Sequence, residues 1–307
     1  MTTILICESM DIMDESKVVI QQLKKVPNSL SIDMLRLDLL HPVISGNKWY
    51  KLRPNLEAAK NANFNTILTF GGAFSNHLIA TAAAAAQSGF QSVGVVRGLD
   101  TETTLNPTLE ACKQYGMKLH FVSREDYHKN KTEDFLATLQ NLYGEIFVIP
   151  EGGANENGRS GAEDIGNMIP NCYSHVCVSV GSGTTVLGIL RRLTIEKQVL
   201  GFAPMKKGKY LKEVISQYFL PKHLPNLQLF DQWHFGGFGH WKPELLDFMN
   251  QFYLSETIPL DMVYTAKMMF GVFALIQQNY FPEKSKILCI HTGGLQGNIS
   301  IRSNLCY

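Results

Sequence analysis

Residues 65–88 read NTILTFGGAFSNHLIATAAAAAQS, and this stretch predicts a strand (65–70), a glycine turn and a helix (76–88) in succession. A strand that ends in glycines and leads directly into a helix leaves backbone N–H groups free at the helix N-terminus. Those groups can bind an anion or another polar ligand, and residues 75–77 (Ser-Asn-His) add polar side chains beside them. A serine or asparagine at this point can equally be an ordinary N-cap.

The same alternation of helix and strand continues on both sides of this stretch. Between residues 48 and 150, helices are predicted at 52–62, 76–88, 107–115 and 132–143, and strands at 65–70, 92–97, 118–122 and 146–150. In the second half, strands are predicted at 175–180, 199–204 and 285–290, and helices at 160–168, 186–193, 210–219, 243–252 and 267–278. Strands that alternate with helices pair in parallel through right-handed crossovers.

The fold class predicted from this pattern is α/β with two lobes, each a mostly parallel sheet flanked by helices. No internal repeat and no low-complexity linker divides the chain into independent domains. We expect a small lobe at residues 44–150, and a large lobe that combines residues 1–43 with residues 151–307.

The N-terminal segment is predicted to contribute to the large lobe. A strand (2–7) and a helix (16–25) come before an alternating apolar segment at residues 30–40. The apolar positions of that segment shift by one residue between Met34 and Leu35. If the segment is a single strand, this shift predicts a β-bulge.

Composition excludes several classes of protein. The 307 residues are 45% hydrophobic and carry a formal charge of +1, so neither a nucleic acid nor another polyanion is an expected partner. No apolar run reaches the roughly 20 residues of a membrane span, and the N-terminus lacks the basic region of a signal peptide. Six cysteines are scattered without a C-x-x-C pair, so no metal site is predicted and a cytoplasmic location is expected.

Residues 181–185 (Gly-Ser-Gly-Thr-Thr) give the strongest physical signal, because they join an apolar strand to a helix. The glycines allow backbone N–H groups to approach an anion, and the two threonines add hydroxyl donors. No G-K-[ST] follows, and residue 186 is valine where a dinucleotide fingerprint needs glycine. A tight βα turn would need only one glycine. Since the loop contains no lysine or arginine, it fits one phosphate monoester better than a triphosphate.

A lysine in a separate glycine loop complements this phosphate site. Residues 45–51 (SGNKWYK) place Lys48 just after a glycine turn. A phosphate anchor and a reactive lysine amine together suggest pyridoxal phosphate, because the amine forms a Schiff base with the cofactor's aldehyde.

Five stretches carry a resemblance to a known family: SGNKWYKL, GGAFSNH, GSGTT, DMVYTAK and HTGG, in this order over nearly the whole chain. Together they resemble the D-cysteine desulfhydrase and 1-aminocyclopropane-1-carboxylate (ACC) deaminase family of pyridoxal phosphate enzymes. The resemblance implies the tryptophan-synthase-β-like fold (fold type II), pyridoxal 5'-phosphate as cofactor, a small amino acid as substrate, and a homodimer.

The resemblance also implies roles for residues that hold the cofactor. Lys48 would form the Schiff base, since the family's lysine directly follows Gly-Asn, and Lys51 is the rival assignment. Lys51 would otherwise help to bind the phosphate, and Asn76 would hydrogen-bond the 3-oxygen of the ring. The residues expected to hold the phosphate are Gly181, Ser182, Gly183, Thr184 and Thr185, and Thr292 of HTGG is a further expected cofactor contact.

Other residues would face the substrate. Ser75 is expected at the substrate carboxylate or at the cyclopropane chemistry, and Asn76 and His77 would line the same helix N-terminus. Tyr264 matches a tyrosine that approaches the substrate in relatives and can transfer a proton. Phe238 stands where relatives carry a tyrosine, so one polar contact near the substrate is lost.

Thr265 bears on which reaction is expected. ACC deaminases have glutamate after the site tyrosine, whereas this chain has Thr265, as desulfhydrases do. A hydroxyl stabilises a protonated pyridine nitrogen less than a carboxylate does, because charge-assisted hydrogen bonds are roughly twice as strong. This favours β-elimination from D-cysteine-like substrates, which gives an α-keto acid and ammonia. The alternatives are ACC deamination, another deaminase or racemase activity, and a catalytically weak protein that only binds the cofactor.

Overall fold

The structure is a computed structural model, and it describes residues 13–27, 29–98, 105–129, 132–208, 210–218 and 226–307. The strand predicted at residues 2–7 lies outside these ranges, as does the end of the helix predicted at 210–219. None of the helices within the described ranges is long and apolar enough to cross a membrane.

Within the described residues, six strands form the larger sheet, in the order β1-β2-β10-β7-β8-β9. Their bounds are β1 (Ile20–Gln22), β2 (Ser31–Arg36), β7 (His175–Ser179), β8 (Gln198–Phe202), β9 (Leu227–Phe230) and β10 (Lys286–His291). Within this sheet, β1 pairs antiparallel with β2 and every other pairing is parallel.

Four strands of the described part of the chain form a second sheet, in the order β5-β4-β3-β6, and all of their pairings are parallel. Their bounds are β3 (Thr66–Gly72), β4 (Gln91–Arg97), β5 (Lys118–Val122) and β6 (Phe147–Ile149). The strands between residues 66 and 149 therefore form one sheet, and strands from both ends of the chain form the other. The exact lobe limits, 44–150 against 1–43 with 151–307, stay a prediction.

Helices follow the strands as the α/β pattern predicts. Their bounds are α1 (Asn47–Asn61), α2 (Asn76–Gln87), α3 (Pro107–Gln114), α4 (Arg124–Tyr127), α5 (Glu133–Tyr143), α6 (Glu156–Asn167), α7 (Thr184–Arg192), α8 (Tyr210–Ser216), α9 (Pro243–Glu256) and α10 (Thr265–Gln277). Most predicted boundaries differ by one or two residues. Helices α1 and α6 begin about one turn earlier than predicted, so Lys48 and Lys51 both lie in the first turns of α1.

The helix predicted at residues 16–25 is wrong. Only a short 3-10 turn (Glu15–Lys17) forms there, and it is followed by the edge strand β1. Ile20 lies opposite Leu35 in the antiparallel ladder with β2. Tertiary pairing with β2 has therefore overridden the local helical pattern, as is common for short segments.

The predicted bulge between Met34 and Leu35 is also absent. The pairing of β2 with β10 runs without interruption through both residues. Met34 packs into one hydrophobic cluster and Leu35 into another, because this strand is covered on both faces. A strand buried on both faces has apolar residues at consecutive positions, which explains the apparent shift.

The chain segments that follow the carboxyl ends of β2, β7 and β10 lie next to one another, because Asn47 at the start of α1 hydrogen-bonds to both Thr185 and Thr292. The segment after β10 contacts the start of α1, since the Asn47 N–H donates to the Thr292 carbonyl oxygen (3.3 Å). The segment after β7 lies against Tyr264, because a Cβ on Gly181 would be 3.2 Å from the Tyr264 ring. Ligands of open α/β sheets bind at such strand ends, so this region is the candidate site.

Candidate active site

Lys48 is buried in the first turn of α1, with 8% of its surface exposed. Its Nζ donates to Asn47 Oδ1 at 2.7 Å and lies 5.7 Å from the centre of the Tyr264 ring. Burial lowers the pKa of Lys48 to about 8, although the negative charge of Asp261 acts in the opposite direction. A measurable fraction of this amine is therefore neutral, and hence nucleophilic, near pH 7.

Asn47 connects Lys48 to the predicted phosphate loop. Its Nδ2 donates to Thr185 Oγ1 at 2.7 Å, in the first turn of α7. Two hydrogen bonds thus separate the Lys48 amine from the loop. This proximity is what a single small cofactor, anchored by phosphate at one end and by an amine at the other, requires.

The loop at residues 181–185 has the backbone of an anion site. Gly183 is the N-cap of α7 and adopts a left-handed conformation with φ of 84°. No side chain caps the helix, because the N-cap residue is a glycine, and the flanking Ser182 Oγ and Thr184 Oγ1 contact each other at 2.9 Å. The N–H groups of the first helical turn are consequently available to an anion.

Lys51 adds a second buried cation beside Lys48. Its Nζ donates to the Gly152 carbonyl oxygen at 2.7 Å. Gly152 in turn lies against the phosphate loop, because a Cβ added to it would be 3.0 Å from Ser182 Oγ. Burial lowers the pKa of Lys51 well below its usual value, and the charge of Lys48 lowers it further. A bound anion would favour the protonated forms of these two poorly solvated amines, so the residues present fit a phosphorylated cofactor.

The start of α2 has a serine N-cap and a buried asparagine. Ser75 Oγ accepts from the N–H groups of His77 (3.2 Å) and Leu78 (3.3 Å), which is the N-cap arrangement. Asn76 is buried and lies against the segment after β10, since a Cβ on Gly294 would be 2.8 Å from Asn76 Nδ2. Asn76 thus belongs to the same site as the start of α1.

His77 is held in one neutral tautomer. Thr69 donates its hydroxyl proton to the Ile149 carbonyl oxygen (2.8 Å), so the His77 Nε2–H must donate to Thr69 Oγ1 (2.9 Å). The other ring nitrogen, Nδ1, is then a buried acceptor that has no hydrogen-bond partner among the residues that the structure describes. Burial and the charges of Lys51 and Lys48 lower the pKa of His77 well below its usual value, so the ring stays neutral.

Tyr264 faces the site from the N-terminus of α10. Its hydroxyl would be 3.3 Å from a Cβ on Gly181, and its ring meets that of Phe238 edge-on with centres 5.6 Å apart. Burial raises the pKa of Tyr264 well above its usual value, and the charges of Asp261 and Glu151 add to this effect. The phenol therefore stays protonated and is a hydrogen-bond donor rather than a base.

Thr265 is coupled to a buried carboxylate that the sequence reasoning missed. Asp261 is fully buried, and its Oδ2 accepts from the Thr265 hydroxyl (2.7 Å) and N–H (2.9 Å). Its Oδ1 accepts from the N–H groups of Val263 (3.0 Å) and Tyr264 (2.8 Å). Asp261 stands six residues before the predicted start of the helix at residue 267, too far to be read as its N-cap, so its position carried no capping signal.

The predicted residues are thus brought together around one region, which includes the Lys48 turn, the 181–185 loop and the N-termini of α2 and α10. Thr292 contributes its main chain, through the hydrogen bond to Asn47, and its side chain is buried. The individual roles assigned from the resemblance stay predictions. Sequence reasoning missed Asn47 and Gly152 as links, since neither residue type signals such a contact.

Gly46 is expected to be intolerant of any side chain. Its φ is 64° and its ψ is −141°, and a Cβ would overlap the Thr292 carbonyl oxygen. We expect Gly46→Ala to lower the free energy of unfolding by about 3 kcal/mol or more, measured by urea denaturation. Gly89→Ala is the matched control, because Gly89 has a similar φ of 78° with nothing within 4 Å. Equal losses in both variants would contradict a steric origin.

A profile of the family described as "Pyridoxal-phosphate dependent enzyme" matches residues 26–207, more than half of the chain. A putative 1-aminocyclopropane-1-carboxylate deaminase from Pyrococcus furiosus is 30% identical over 91% of this chain and 89% of its own length. A bifunctional D-cysteine desulfhydrase/1-aminocyclopropane-1-carboxylate deaminase from Arabidopsis thaliana, described as mitochondrial, is 27% identical over 89% of this chain and 74% of its own length.

Solved structures agree with this result. The crystal structure of an ACC deaminase homologue superimposes with a TM-score of 0.80 and 26% identity, and covers 94% of this chain and 92% of its own. An O-ureido-L-serine synthase has the same fold, with a TM-score of 0.70 and 16% identity over 95% of this chain and 92% of its own. The α/β, fold type II prediction is therefore confirmed. The chain belongs to the pyridoxal-phosphate dependent enzymes and to the family of these deaminase and desulfhydrase relatives.

Proposed function

We propose that this pyridoxal-phosphate dependent enzyme releases ammonia from a small amino acid, and that D-cysteine-like substrates undergo β-elimination. For D-cysteine and one water, the products would be pyruvate, sulfide and ammonia. The observation that supports the proposal most directly is the buried Lys48 amine, two hydrogen bonds from the phosphate loop. Pyridoxal phosphate, when bound, supplies an aldehyde that captures amines and a ring that withdraws electrons.

The protein's own groups would hold that cofactor at both ends. The free N–H groups at the start of α7 and the threonine hydroxyls would bind the phosphate. The phosphate's negative charge would favour the protonated form of Lys51, which would then balance that charge. Asn76 would bind the ring oxygen, with Thr292 nearby. Ser75 retains its hydroxyl proton after capping α2, so it can donate to a substrate carboxylate, and His77 Nδ1 offers a buried acceptor.

Proton transfer would be divided between two residues. Lys48, with a pKa of about 8, supplies a neutral amine that can take the α-proton once a substrate amine has replaced it at the cofactor. Tyr264 has a raised pKa and therefore donates rather than accepts. We accordingly assign the base to Lys48 and the donor near the leaving group to Tyr264.

ACC deamination is the second candidate, and Asp261 is the observation that favours it. The preference for β-elimination rested on Thr265 as an isolated hydroxyl. Thr265 instead donates its hydroxyl hydrogen bond to the buried Asp261 carboxylate, so its oxygen is polarised. That oxygen accepts from the Asp261 N–H (2.8 Å), and its second lone pair can accept a hydrogen bond from a protonated ring nitrogen. A carboxylate acting through Thr265 would make the ring a stronger electron sink than a threonine alone. The names of the Arabidopsis and Pyrococcus relatives support both reactions.

A panel of D- and L-amino acids together with ACC would identify the substrate. The purified protein loaded with cofactor is incubated with each compound, and keto-acid and ammonia release are measured. We expect keto-acid and ammonia release from D-cysteine. Release from ACC would support the second candidate function, ACC deamination. If a yellow, cofactor-bearing protein released keto acid from neither D-cysteine nor ACC, release from another amino acid of the panel would identify a different substrate. Release from no compound would favour the alternative that the protein only binds the cofactor. A homodimer stays an expectation from the resemblance, and sedimentation would test it.

A further inference from the structure

Lys267 is a buried lysine that the proposed reaction does not use. It lies on α10 with 1% of its surface exposed. Its Nζ donates hydrogen bonds to three backbone carbonyl oxygens, those of Pro204 (3.3 Å), His234 (2.9 Å) and Gly237 (2.8 Å). Burial lowers its pKa to about 8, and the charge of Asp261 opposes this effect.

Burial of the Lys267 ammonium costs free energy, so we ask what its hydrogen bonds stabilise. Burying a charge is unfavourable without a bonded counter-ion, and here all three hydrogen-bond acceptors are neutral carbonyls. Those carbonyls belong to segments that regular secondary structure does not hold. Residues 234–237 lie in an irregular turn, in which Phe235, Gly236 and Gly237 all have positive φ values. The ammonium is the group on which the carbonyls of this turn converge.

The turn leads directly to the candidate active site. Phe238 follows it, and the Phe238 ring contacts the Tyr264 ring edge-on at 5.6 Å while remaining 48% exposed. Lys267 lies three residues after Tyr264 on the same helix, so its hydrogen bonds connect the turn to the helix that carries the site tyrosine. On the other side of the turn, Trp233 packs against the rings of Phe202 and Phe230 in the core.

We propose that Lys267 is a positioning residue whose ammonium acts as a tethered cation, folding the 234–237 turn and fixing the Phe238 ring beside Tyr264. The wall of the substrate site next to Tyr264 then depends on a charge whose hydrogen bonds go to main-chain carbonyl oxygens. The consequence for substrate binding rests on the proposed function. The consequence for the turn does not, because it concerns the protein alone.

Hydrogen exchange in the cofactor-loaded protein without substrate tests the effect on the turn. The N–H groups of Gly236, Gly237 and His240 are hydrogen-bonded within it, to His234 Nδ1 (3.0 Å), the His234 oxygen (3.0 Å) and the Gly237 oxygen (3.1 Å). In Lys267→Met, exchange at these amides should become about tenfold faster or more, because hydrogen bonds to a charged group are lost. Unchanged exchange would overturn the proposal.

Lys197 offers a matched control. It is buried, and its Nζ donates to the carbonyl oxygens of Pro170 (3.3 Å), Asn171 (2.9 Å) and Tyr173 (2.9 Å), none of which lies in the site described above. Lys197→Met removes the same kind of interaction, so it should leave exchange in residues 234–240 unchanged. If both variants loosened the turn equally, the effect would be general destabilisation and the proposal would be wrong.

Chemical rescue separates the charge from the volume of the side chain. Lys267→Ala leaves room for three carbons and a nitrogen, which n-propylammonium supplies. Adding this ion should restore slow exchange in the turn, whereas propan-1-ol, which is similar in size but uncharged, should not. If Lys267→Met does not fold, rescue of Lys267→Ala folding by n-propylammonium alone remains the test, and equal effects of the two additives would contradict the proposal.

Kinetics with a substrate identified from the amino-acid panel then tests the consequence for binding. We expect Lys267→Met to raise KM about tenfold and to change kcat less, since a wall of the site is displaced while Lys48 is untouched. A fall in kcat with KM unchanged would show that the turn does not shape substrate binding. If the proposed reaction were wrong, the exchange and rescue results would still hold, because they are measured without substrate. An error in the proposed function can therefore be distinguished from an error in the role of Lys267.

Discussion

Replacing Lys48 with alanine is expected to abolish covalent capture of pyridoxal phosphate and, with it, the visible absorbance of the bound cofactor. The variant should still fold, because the Lys48 Nζ bonds only to the neighbouring Asn47 side chain among the described contacts. Turnover should fall at least about 10³-fold, since the nucleophile and the proposed base are removed together. Absorbance spectra and keto-acid release measure the two effects.

Lys51→Ala is the matched control for this experiment. Both lysines lie on α1, both are buried, and both have lowered pKa values. Lys51 bonds to the Gly152 carbonyl oxygen and lies at the phosphate end, so its loss should weaken cofactor affinity but leave the absorbance of the bound cofactor. An unchanged spectrum in the Lys48 variant, together with a lost spectrum in the Lys51 variant, would assign the covalent link to Lys51 instead.

The sequence predicted the α/β class because its evidence is local. The strands predicted at 65–70, 92–97 and 146–150 are apolar runs that lead into or end in glycine or proline, and only 118–122, followed by Ser123, lacks this ending. The prediction failed at residues 16–25, where the outcome depends on a distant partner. Ile20 is 38% exposed in β1, so nothing in its own segment reveals that it pairs with Leu35.

The candidate site was predictable to the extent that motifs carry it. Lys48 and the 181–185 loop stand in stretches whose glycines and polar residues are informative one at a time. Asp261 and Lys267 are different, because each looks like an ordinary charged residue, one just before an apolar helix and the other in its first turn. Their importance comes from complete burial and from groups that converge on them, which only the three-dimensional structure reveals.

Asp261→Asn is the second variant with a large expected effect. The carboxylate accepts from three backbone N–H groups and from the Thr265 hydroxyl. The NH₂ group of an asparagine would replace one of the two carboxylate oxygens, and it would then face two of these hydrogen-bond donors. We expect the free energy of unfolding to fall by about 3 kcal/mol, measured by urea denaturation, because buried hydrogen bonds to a charged group are replaced by an unsatisfied pair of donors.

Asp261→Asn is also expected to affect function, because the Thr265 hydroxyl would no longer donate to a negatively charged carboxylate. The cofactor spectrum and its pH dependence should therefore change, and turnover should fall further than the loss of folded protein explains. Glu256→Gln is the control, since Glu256 is a buried carboxylate that accepts from the N–H groups of Lys24 (2.6 Å) and Lys25 (3.1 Å), at a different part of the fold. It should lose stability without altering the spectrum. If Asp261→Asn behaves in the same way, Asp261 is only a helix cap, and the coupling from its carboxylate through Thr265 to the cofactor ring does not operate.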